Sequence, residues 1–238
     1  MIDIACDWGL NGLRDLARDR VVVIVDVLSF STATTVAVAR GATILPCEWN
    51  DERAAAIATA EKAELASKRG QGRFSLAPAS LREIPAGTRL VLPSPNGSTL
   101  AYAAQDLGAA AVVAGCLRNA TAVAKWVRAQ RQPVAIIPAG ERWPDHSIRF
   151  AIEDWLGAGA IISRLSGSMS ALAASAASTF DLFRKRLADV IAASPSGREL
   201  IGIGYPDDVR IASELDADEA VPVLSGNAFT LAGHESDQ

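Results

Sequence analysis

Short apolar runs alternate along this chain with longer, alanine-rich segments, and this alternation limits the possible folds more than any other feature of the sequence. Five runs have the composition of buried strands: 21–28, 42–47, 89–94, 110–115 and 133–140. Segments with helix-start and helix-stop signals lie between and after them, including 51–69 behind Asn50, about 147–165, and about 169–192. This order predicts an α/β fold with a largely parallel sheet and helices on both faces.

Composition narrows the class of protein. Half of the 238 residues are hydrophobic and 21% are charged, which is typical of a globular chain, and no linker is visible, so we predict one domain over 1–238 with a smaller C-terminal elaboration. A net charge of −4 argues against nucleic-acid binding. The alanine-rich segment 151–180 is too often interrupted by charges to span a membrane. The absence of a signal-peptide pattern and of CxxC pairs predicts a cytoplasmic protein with reduced thiols.

Polar side chains follow the ends of four predicted strands. They are Asp26, Ser29, Ser31 and Thr32 after the first, Ser94, Asn96, Gly97 and Ser98 after the third, Arg118 and Asn119 after the fourth, and Glu141, Arg142, Asp145, His146, Glu153 and Asp154 after the fifth. Ligands of open parallel sheets bind at the carboxyl ends of the strands, which predicts a site at this edge. Ser29, Ser31 and Asn119 are equally good helix caps, and Asn96-Gly97 is also a common turn.

Asp26 is the most informative of these residues, because it directly follows the apolar run 21–25. A buried carboxylate needs a metal ion, an arginine or several N–H donors to remain charged. Histidine and cysteine are scarce, so a metal here would have oxygen ligands, which favours Mg²⁺. The lone loop histidine, His146, and the absence of a GxSxG sequence argue against a Ser-His-Asp hydrolase. No Walker or GxGxxG sequence supports a nucleotide site.

Several blocks of the chain resemble the Mg²⁺-dependent 2-phosphosulfolactate phosphatases. They include VVIVDVLSFSTATTVAVARGATILP, LPSPNGSTLAYAA, VVAGCLRNATAVA and IIPAGERWPDHSIRFAIEDWLGAGAII. The resemblance implies a three-layer α/β/α fold with a mixed sheet. It also implies hydrolysis of the phosphate ester of 2-phospho-3-sulfolactate, a step in one route to coenzyme M. The shared polar positions are Asp26, Asn96, Gly97, Asn119, Glu153 and Asp154.

This chain departs from the family pattern in three places. The family usually has an arginine after the position of Leu28, where this chain has Ser29-Phe30. Residues 76–80 stand in place of a GNSP stretch, and 94–98 in place of a two-threonine NGT motif. These departures leave the expected fold unchanged and bear on the choice of substrate.

Together these features predict a phosphatase that acts on a small anionic phosphate ester. The expected catalytic residues are Asp26, Glu153 and Asp154, and Asp26 and Asp154 (or Glu153) would hold Mg²⁺. The expected substrate-binding residues are Ser31, Thr32, Ser94, Asn96, Gly97, Ser98, Arg118, Asn119 and Arg142. Water is the preferred nucleophile, with Asp26 as the alternative. A non-catalytic anion-binding protein and another hydrolase on the same fold are the competing hypotheses.

The tryptophans and a glycine-rich segment suggest an interface. The chain has five tryptophans, a residue that interfaces favour, and the GAGA segment at 157–160 allows close helix packing within the subunit or across a homodimer. A homodimer is therefore expected.

Overall fold

The computed structural model describes residues 1–48, 51–143, 145 and 147–233. Its strands are β1 (Ile2–Cys6), β2 (Val21–Val25), β3 (Thr43–Cys47), β4 (Glu64–Leu65), β5 (Arg89–Pro93), β6 (Ala111–Gly115), β7 (Val134–Pro138), β8 (Glu141–Arg142), β9 (Ile148–Arg149), β10 (Gly167–Met169), β11 (Pro222–Ser225) and β12 (Ala228–Leu231). Its helices are α1 (Gly9–Leu16), α2 (Phe30–Ala39), α3 (Glu52–Ala60), α4 (Pro78–Leu81), α5 (Gly97–Asp106), α6 (Ala120–Gln130), α7 (Ile152–Ile162), α8 (Ala171–Phe183), α9 (Leu187–Ala193), α10 (Pro195–Gly202) and α11 (Pro206–Ala212).

Strand β2 lies inside the main sheet and supplies side chains to two cores. It pairs in parallel with β6 on one side and β7 on the other. Val21, Val23 and Val25 join one apolar cluster, whereas Val22 and Ile24 join another. Successive strand residues point to opposite faces of a sheet, so this division places a core on each face and gives the three layers of the fold.

The main sheet is mixed because a hairpin stands in its middle. The ten strands have the order β10-β1-β7-β2-β6-β11-β12-β3-β5-β4. Hairpin β11–β12 makes antiparallel pairs with β6, with itself and with β3. These three reversals make β3, β5 and β4 run opposite to β2, β6 and β7. The predicted α/β class with a mixed sheet is confirmed, and the main sheet has five further strands that the sequence did not predict: β1, β4, β10, β11 and β12.

Three predicted helices are shorter than the sequence indicated. The helix expected over 51–69 ends at Ala60, because Lys62 adopts a left-handed φ of 50° and the chain then forms the edge strand β4. The helix expected from about 147 begins at Ile152, because Ile148–Arg149 pairs with Glu141–Arg142. The segment 169–192 contains two helices, α8 and α9, rather than one.

Some predictions concern residues outside the described ranges. Asn50, the expected cap of α3, is one of them, together with Trp49, His146 and His234. In the described part, the Asp51 carboxylate caps α3 by accepting the N–H of Arg53 at 3.0 Å. No helix in the described ranges is long and apolar enough to cross a bilayer.

The GAGA segment packs within the subunit. A Cβ at Gly157 would lie 2.8 Å from side-chain carbons of Val25 and Val27, so helix α7 sits directly on the end of β2. A Cβ at Gly159 would overlap the backbone carbonyl of Ala176 in α8. The two glycines therefore set the distance between α7 and its neighbours on both sides.

We expect Gly159→Ala to lower the free energy of unfolding by about 1–3 kcal/mol, because the added methyl must push α7 and α8 apart. Urea unfolding measures this change. The matched control is Gly202→Ala, where nothing lies within 4 Å of the new Cβ. That control should be neutral or stabilising by up to about 1 kcal/mol. Equal stabilities of the two variants would contradict the proposed close packing.

Candidate active site

A cleft of about 260 Å³ opens beside the end of β2. Its polar lining consists of Asp26, Ser29, Arg69, Ser94, Asn96, Glu141, Ser196 and Glu199. The side chains come from loops that follow β2, β5 and β7, from the loop before α4, and from helix α10. The volume is at the small end of ligand pockets, which suits a ligand of few atoms.

Asp26 lies at this cleft with both carboxylate oxygens in contact with backbone amides. The N–H of Phe30 donates to Oδ1 and the N–H of Gly97 donates to Oδ2, each at 3.1 Å. Each oxygen keeps a second lone pair for another partner. Burial, together with the charges of Glu141 and Glu153, raises the pKa of Asp26 to about 7, although the two amides act in the opposite direction. The neighbouring acids therefore help to keep a proton on Asp26.

Asp154 uses both carboxylate oxygens to hold two strand ends together. The N–H of Val27 donates to Oδ1 at 2.7 Å, and the N–H of Gly140 donates to Oδ2 at 2.9 Å. These contacts join the chain after β2 to the chain after β7. Burial and the charge of Asp26 raise the pKa of Asp154 well above its usual value. Asp154 is beside Asp26 but does not line the cleft.

Glu153 is almost fully buried, at 1% exposure, and its Oε2 atom has no hydrogen-bond partner among the described residues. Its charge raises the pKa of Asp26, Asp154 and Glu141. The adjacent acids of α7 thus have different surroundings, and both are buried without lining the cleft. Asp154 fixes the backbone, and Glu153 adds negative charge behind the cleft.

Glu141 and Asn96 form a hydrogen-bonded part of the cleft wall. The Asn96 amide donates to Glu141 Oε2 at 3.1 Å, and Arg142 Nε donates to Asn96 Oδ1 at 3.3 Å. Burial raises the pKa of Glu141, and the charge of Glu153 adds to this rise. The third acid of the lining, Glu199, is neutralised by a salt bridge with Arg149 at 2.8 Å. Asp26 and Glu141 are consequently the two acids of the lining that have no salt bridge among the described residues.

Arg69 supplies a guanidinium at the point where the sequence departs from the family pattern. Ser29 stands where the resemblance led us to expect an arginine, and Arg69 Nη2 donates to its Oγ at 2.7 Å. Ser29 does occupy the N-cap position of α2, but its side chain makes no capping bond. Sequence reasoning missed Arg69 because it assigned this residue to the last turn of α3. The irregular segment that follows Arg69 in the sequence was the only feature that could have indicated a site there.

Several predicted site residues use their side chains inside the protein instead. Ser31 Oγ accepts the N–H of Asp26 and donates to the Ile24 carbonyl, while Thr32 Oγ1 donates to the Val27 carbonyl. Ser98 Oγ accepts the N–H of Cys47. The Gly97 N–H, which the sequence assigned to phosphate, donates to Asp26. These residues shape the ends of β2, β3 and α5 and do not line the cleft.

The structure also places three predicted anion ligands away from the cleft. Arg118 is held by salt bridges to Asp218 and Glu214. Asn119 is fully buried, and its amide donates to Thr35 and to two carbonyl oxygens. Arg142 lies beyond Asn96, where it lines a second cavity of about 390 Å³. Of the residues predicted to bind substrate, Ser94 and Asn96 line the cleft.

The cleft has donors of the kind that Mg²⁺ prefers. Asp26 and Glu141 offer hard carboxylate oxygens, and the unpartnered Glu153 Oε2 adds uncompensated negative charge nearby. Among the described residues, no three acidic, histidine or cysteine side chains form a group that could hold a metal alone. Mg²⁺ commonly takes only one or two carboxylates and completes its shell with water and substrate oxygens. The residues present therefore fit Mg²⁺ better than a metal that needs a full protein cage.

Comparison with known proteins identifies the family. The model of the 2-phosphosulpholactate phosphatase family matches residues 12–227, so the chain belongs to this family. A protein of Methanothermobacter thermautotrophicus named 2-phosphosulfolactate phosphatase is 31% identical over 88% of both chains. Proteins named probable 2-phosphosulfolactate phosphatase are 30% identical in Carboxydothermus hydrogenoformans, over 87% of both chains, and 28% identical in Gloeobacter violaceus, over 89% of this chain and 91% of that one.

The raised pKa of Asp26 predicts a loss of stability with rising pH in metal-free buffer. The usual pKa of 3.8 is raised to about 7 in the folded protein, so between these pH values the folded state holds a proton that the unfolded state has released. Stability then falls with increasing pH, by at most about 1.4 kcal/mol per pH unit for one proton. Urea unfolding in EDTA from pH 4 to pH 8 measures this slope.

Asp26→Asn cannot titrate and should flatten that slope. The matched control is Asp181→Asn, which changes an exposed aspartate in α8 and should leave the slope as in the unmodified protein. A slope that is unchanged in Asp26→Asn would contradict the assigned coupling of Asp26 to the neighbouring acids.

Proposed function

We propose that this protein is a Mg²⁺-dependent phosphatase that hydrolyses 2-phosphosulfolactate to sulfolactate and phosphate. The main support is the conjunction of family membership with a small cleft in which a buried carboxylate, Asp26, has lone pairs left for a ligand. The name of the Methanothermobacter relative supplies the substrate, and the two relatives at 30% identity or more align with this chain along almost its whole length.

The cleft's own residues suit a small anion-bearing substrate. The Asn96 side chain and the buried Ser94 line the cleft close to Asp26, and we assign them to the phosphate group. Asn96 is oriented by its hydrogen bonds with Glu141 and Arg142, so its amide is fixed before substrate arrives. Fixed polar groups of this kind accelerate reactions because they need no reorganisation when charge develops.

We assign Asp26 and Glu141 as the protein ligands of Mg²⁺, in place of the pair Asp26 and Asp154. Asp26 and Glu141 line the cleft, whereas Asp154 does not and uses both oxygens to join two strand ends. When bound there, Mg²⁺ would draw charge from the phosphoryl oxygens and lower the repulsion between the two acids. Asp154 then acts as a positioning residue for the loops that carry Asp26 and Glu141.

Water is the proposed nucleophile. Both Asp26 oxygens accept a backbone N–H, which makes this carboxylate a weaker nucleophile than one that is free to attack. In the reaction the water oxygen bonds to phosphorus, the ester P–O bond breaks, and the released oxygen takes up a proton to become the hydroxyl of sulfolactate.

Phosphate release from 2-phosphosulfolactate tests the activity. We expect turnover with Mg²⁺, none in EDTA, and a loss on the order of a hundredfold or more in kcat for Asp26→Asn, since this change removes a charged cleft ligand. Asp181→Asn, which changes an exposed charge that does not line the cleft, is the matched control and should keep full activity. If the unmodified protein releases no phosphate with Mg²⁺ present, the proposed function is wrong and the anion-binding alternative is favoured.

Glu141→Gln separates the metal assignment from the activity itself. We expect it to raise the Mg²⁺ concentration for half-maximal rate on the order of tenfold, with a smaller change in KM at saturating Mg²⁺. Glutamine keeps an oxygen acceptor for Asn96, so the wall of the cleft should remain in place. An unchanged Mg²⁺ requirement would remove Glu141 from the set of metal ligands.

The homodimer and the cytoplasmic location stay predictions. Of the described tryptophans, Trp155 is buried, Trp8 and Trp126 are half-buried, and Trp143 is 51% exposed. Trp143 and Phe150 are exposed aromatic side chains of the kind that interfaces cover. Light scattering of the purified protein measures whether it is a dimer.

A further inference from the structure

Arg69 holds a special position among the residues of the cleft. It is the one cation among the described residues that line the 260 Å³ cleft. It also lines a neighbouring cavity of about 680 Å³, which shares Leu76, Ser94 and Pro95 with the cleft and adds Lys68. Arg69 therefore stands where the two spaces meet.

The guanidinium is fixed by three parts of the chain. Its Nε donates to Asp208 Oδ2 at 3.2 Å, and its Nη2 donates to Ser29 Oγ at 2.7 Å and to the Leu76 carbonyl at 3.4 Å. Asp208 is itself buried, with a side chain that is 1% exposed. The Tyr205 ring lies 5.9 Å from the guanidinium carbon. This arrangement orders a long side chain before any ligand binds, which reduces the entropy lost on binding.

Part of the guanidinium remains available. Nε and Nη2 carry all of the hydrogen bonds that Arg69 makes with described residues, so the two N–H groups of Nη1 have no protein partner among them. The side chain is 21% exposed. Arg69 thus lines the cleft with hydrogen-bonding capacity that its contacts with Asp208, Ser29 and Leu76 leave unused. Guanidinium groups bind carboxylates, phosphates and similar planar or tetrahedral oxyanions through such N–H pairs.

The lining of the cleft contains charges of both signs with different partners. Asp26 and Glu141 have no salt bridge among the described residues, and Glu141 accepts a hydrogen bond from Asn96, whereas Arg69 donates to Ser29. An ester with two anionic groups would be oriented by these unlike partners, its phosphate toward the acids and their Mg²⁺ and its other anion toward Arg69. A singly charged ester would gain nothing from the second contact.

We propose that Arg69 binds an anionic group of the substrate other than the phosphate being removed, and so selects esters that carry a carboxylate or sulfonate. This inference rests on the proposed phosphatase function and names the residue that sets its substrate class. Arg69 acts as a binding residue with no part in the bond-breaking step.

The test compares Arg69→Gln and Arg69→Lys with Arg73→Ala, a control in the same loop whose exposed guanidinium stacks on Phe74. Four phosphate esters serve as substrates: 2-phosphosulfolactate, 2-phospholactate, the phosphate ester of 2-hydroxyethanesulfonate, and isopropyl phosphate. The second and third carry one additional anion each, and the last carries none. Steady-state phosphate release gives kcat and KM for each pair of enzyme and ester.

Arg69→Gln should raise KM for 2-phosphosulfolactate by about ten- to a hundredfold, as the loss of a charge-assisted contact predicts, while isopropyl phosphate changes less than about threefold. Arg69→Lys should lie between Gln and the unmodified protein, and Arg73→Ala should change nothing. Of 2-phospholactate and the phosphate ester of 2-hydroxyethanesulfonate, the one whose KM rises more in Arg69→Gln identifies the carboxylate or the sulfonate as the group bound. An equal rise in KM for all four esters would show a merely structural role and overturn the proposal.

Calorimetric titration with sulfolactate separates this inference from the proposed function, because it needs no turnover. We expect binding to weaken on the order of tenfold in Arg69→Gln and to be kept in Arg73→Ala. If the unmodified protein releases no phosphate but binds sulfolactate through Arg69, the phosphatase function fails and the anion site stands. If the unmodified protein does not bind sulfolactate, or binds it equally well in Arg69→Gln, the inference is overturned.

Discussion

Two buried carboxylates, each held by a pair of backbone N–H groups, join the parts of the chain from which the cleft is built. Asp154 connects the segment after β2 to the segment after β7, and Asp26 connects the start of α2 to the start of α5. Charged hydrogen bonds of this kind are strong, yet placing two acids together in an apolar interior costs free energy. In the described part of the chain, the fold tolerates that cost at one place only. At this place Gly97 allows α5 to lie so close to the start of α2 that a Cβ would overlap the Phe30 ring.

The sequence predicted the parts of this arrangement that depend on local pattern. Asp26 stood out because a carboxylate follows a fully apolar run, and the run does form the doubly paired strand β2. The acids of α7 were expected to include one that faces the site, but both are buried and neither lines the cleft. The α/β class followed from the order of strand and helix signals. Each of these inferences uses residues that are neighbours along the chain or along one element.

Long-range placement could not be predicted in the same way. Arg69 reaches the cleft because the segment after α3 turns into the edge strand β4. The sequence pattern had instead placed this residue in the last turn of a longer helix, where its charge would match the helix dipole. Arg118 and Asn119 lie after β6 as predicted, but the C-terminal segment supplies partners that occupy them: Asp218 for one and the Ala220 carbonyl for the other. The rule that ligands bind at the carboxyl ends of strands predicts the edge of the sheet at which a site lies. It does not predict which side chains at that edge remain free to bind a ligand.

The hairpin β11–β12 has a consequence for how the protein is made. Before its residues leave the ribosome, β6 and β3 each present an edge without a strand partner, and the strands on either side are held together through α2 and α5 rather than by strand pairing. Exposed strand edges readily pair with other chains. The nascent chain therefore carries two open strand edges until 222–231 has been synthesised, and the pairing of this short segment completes the sheet.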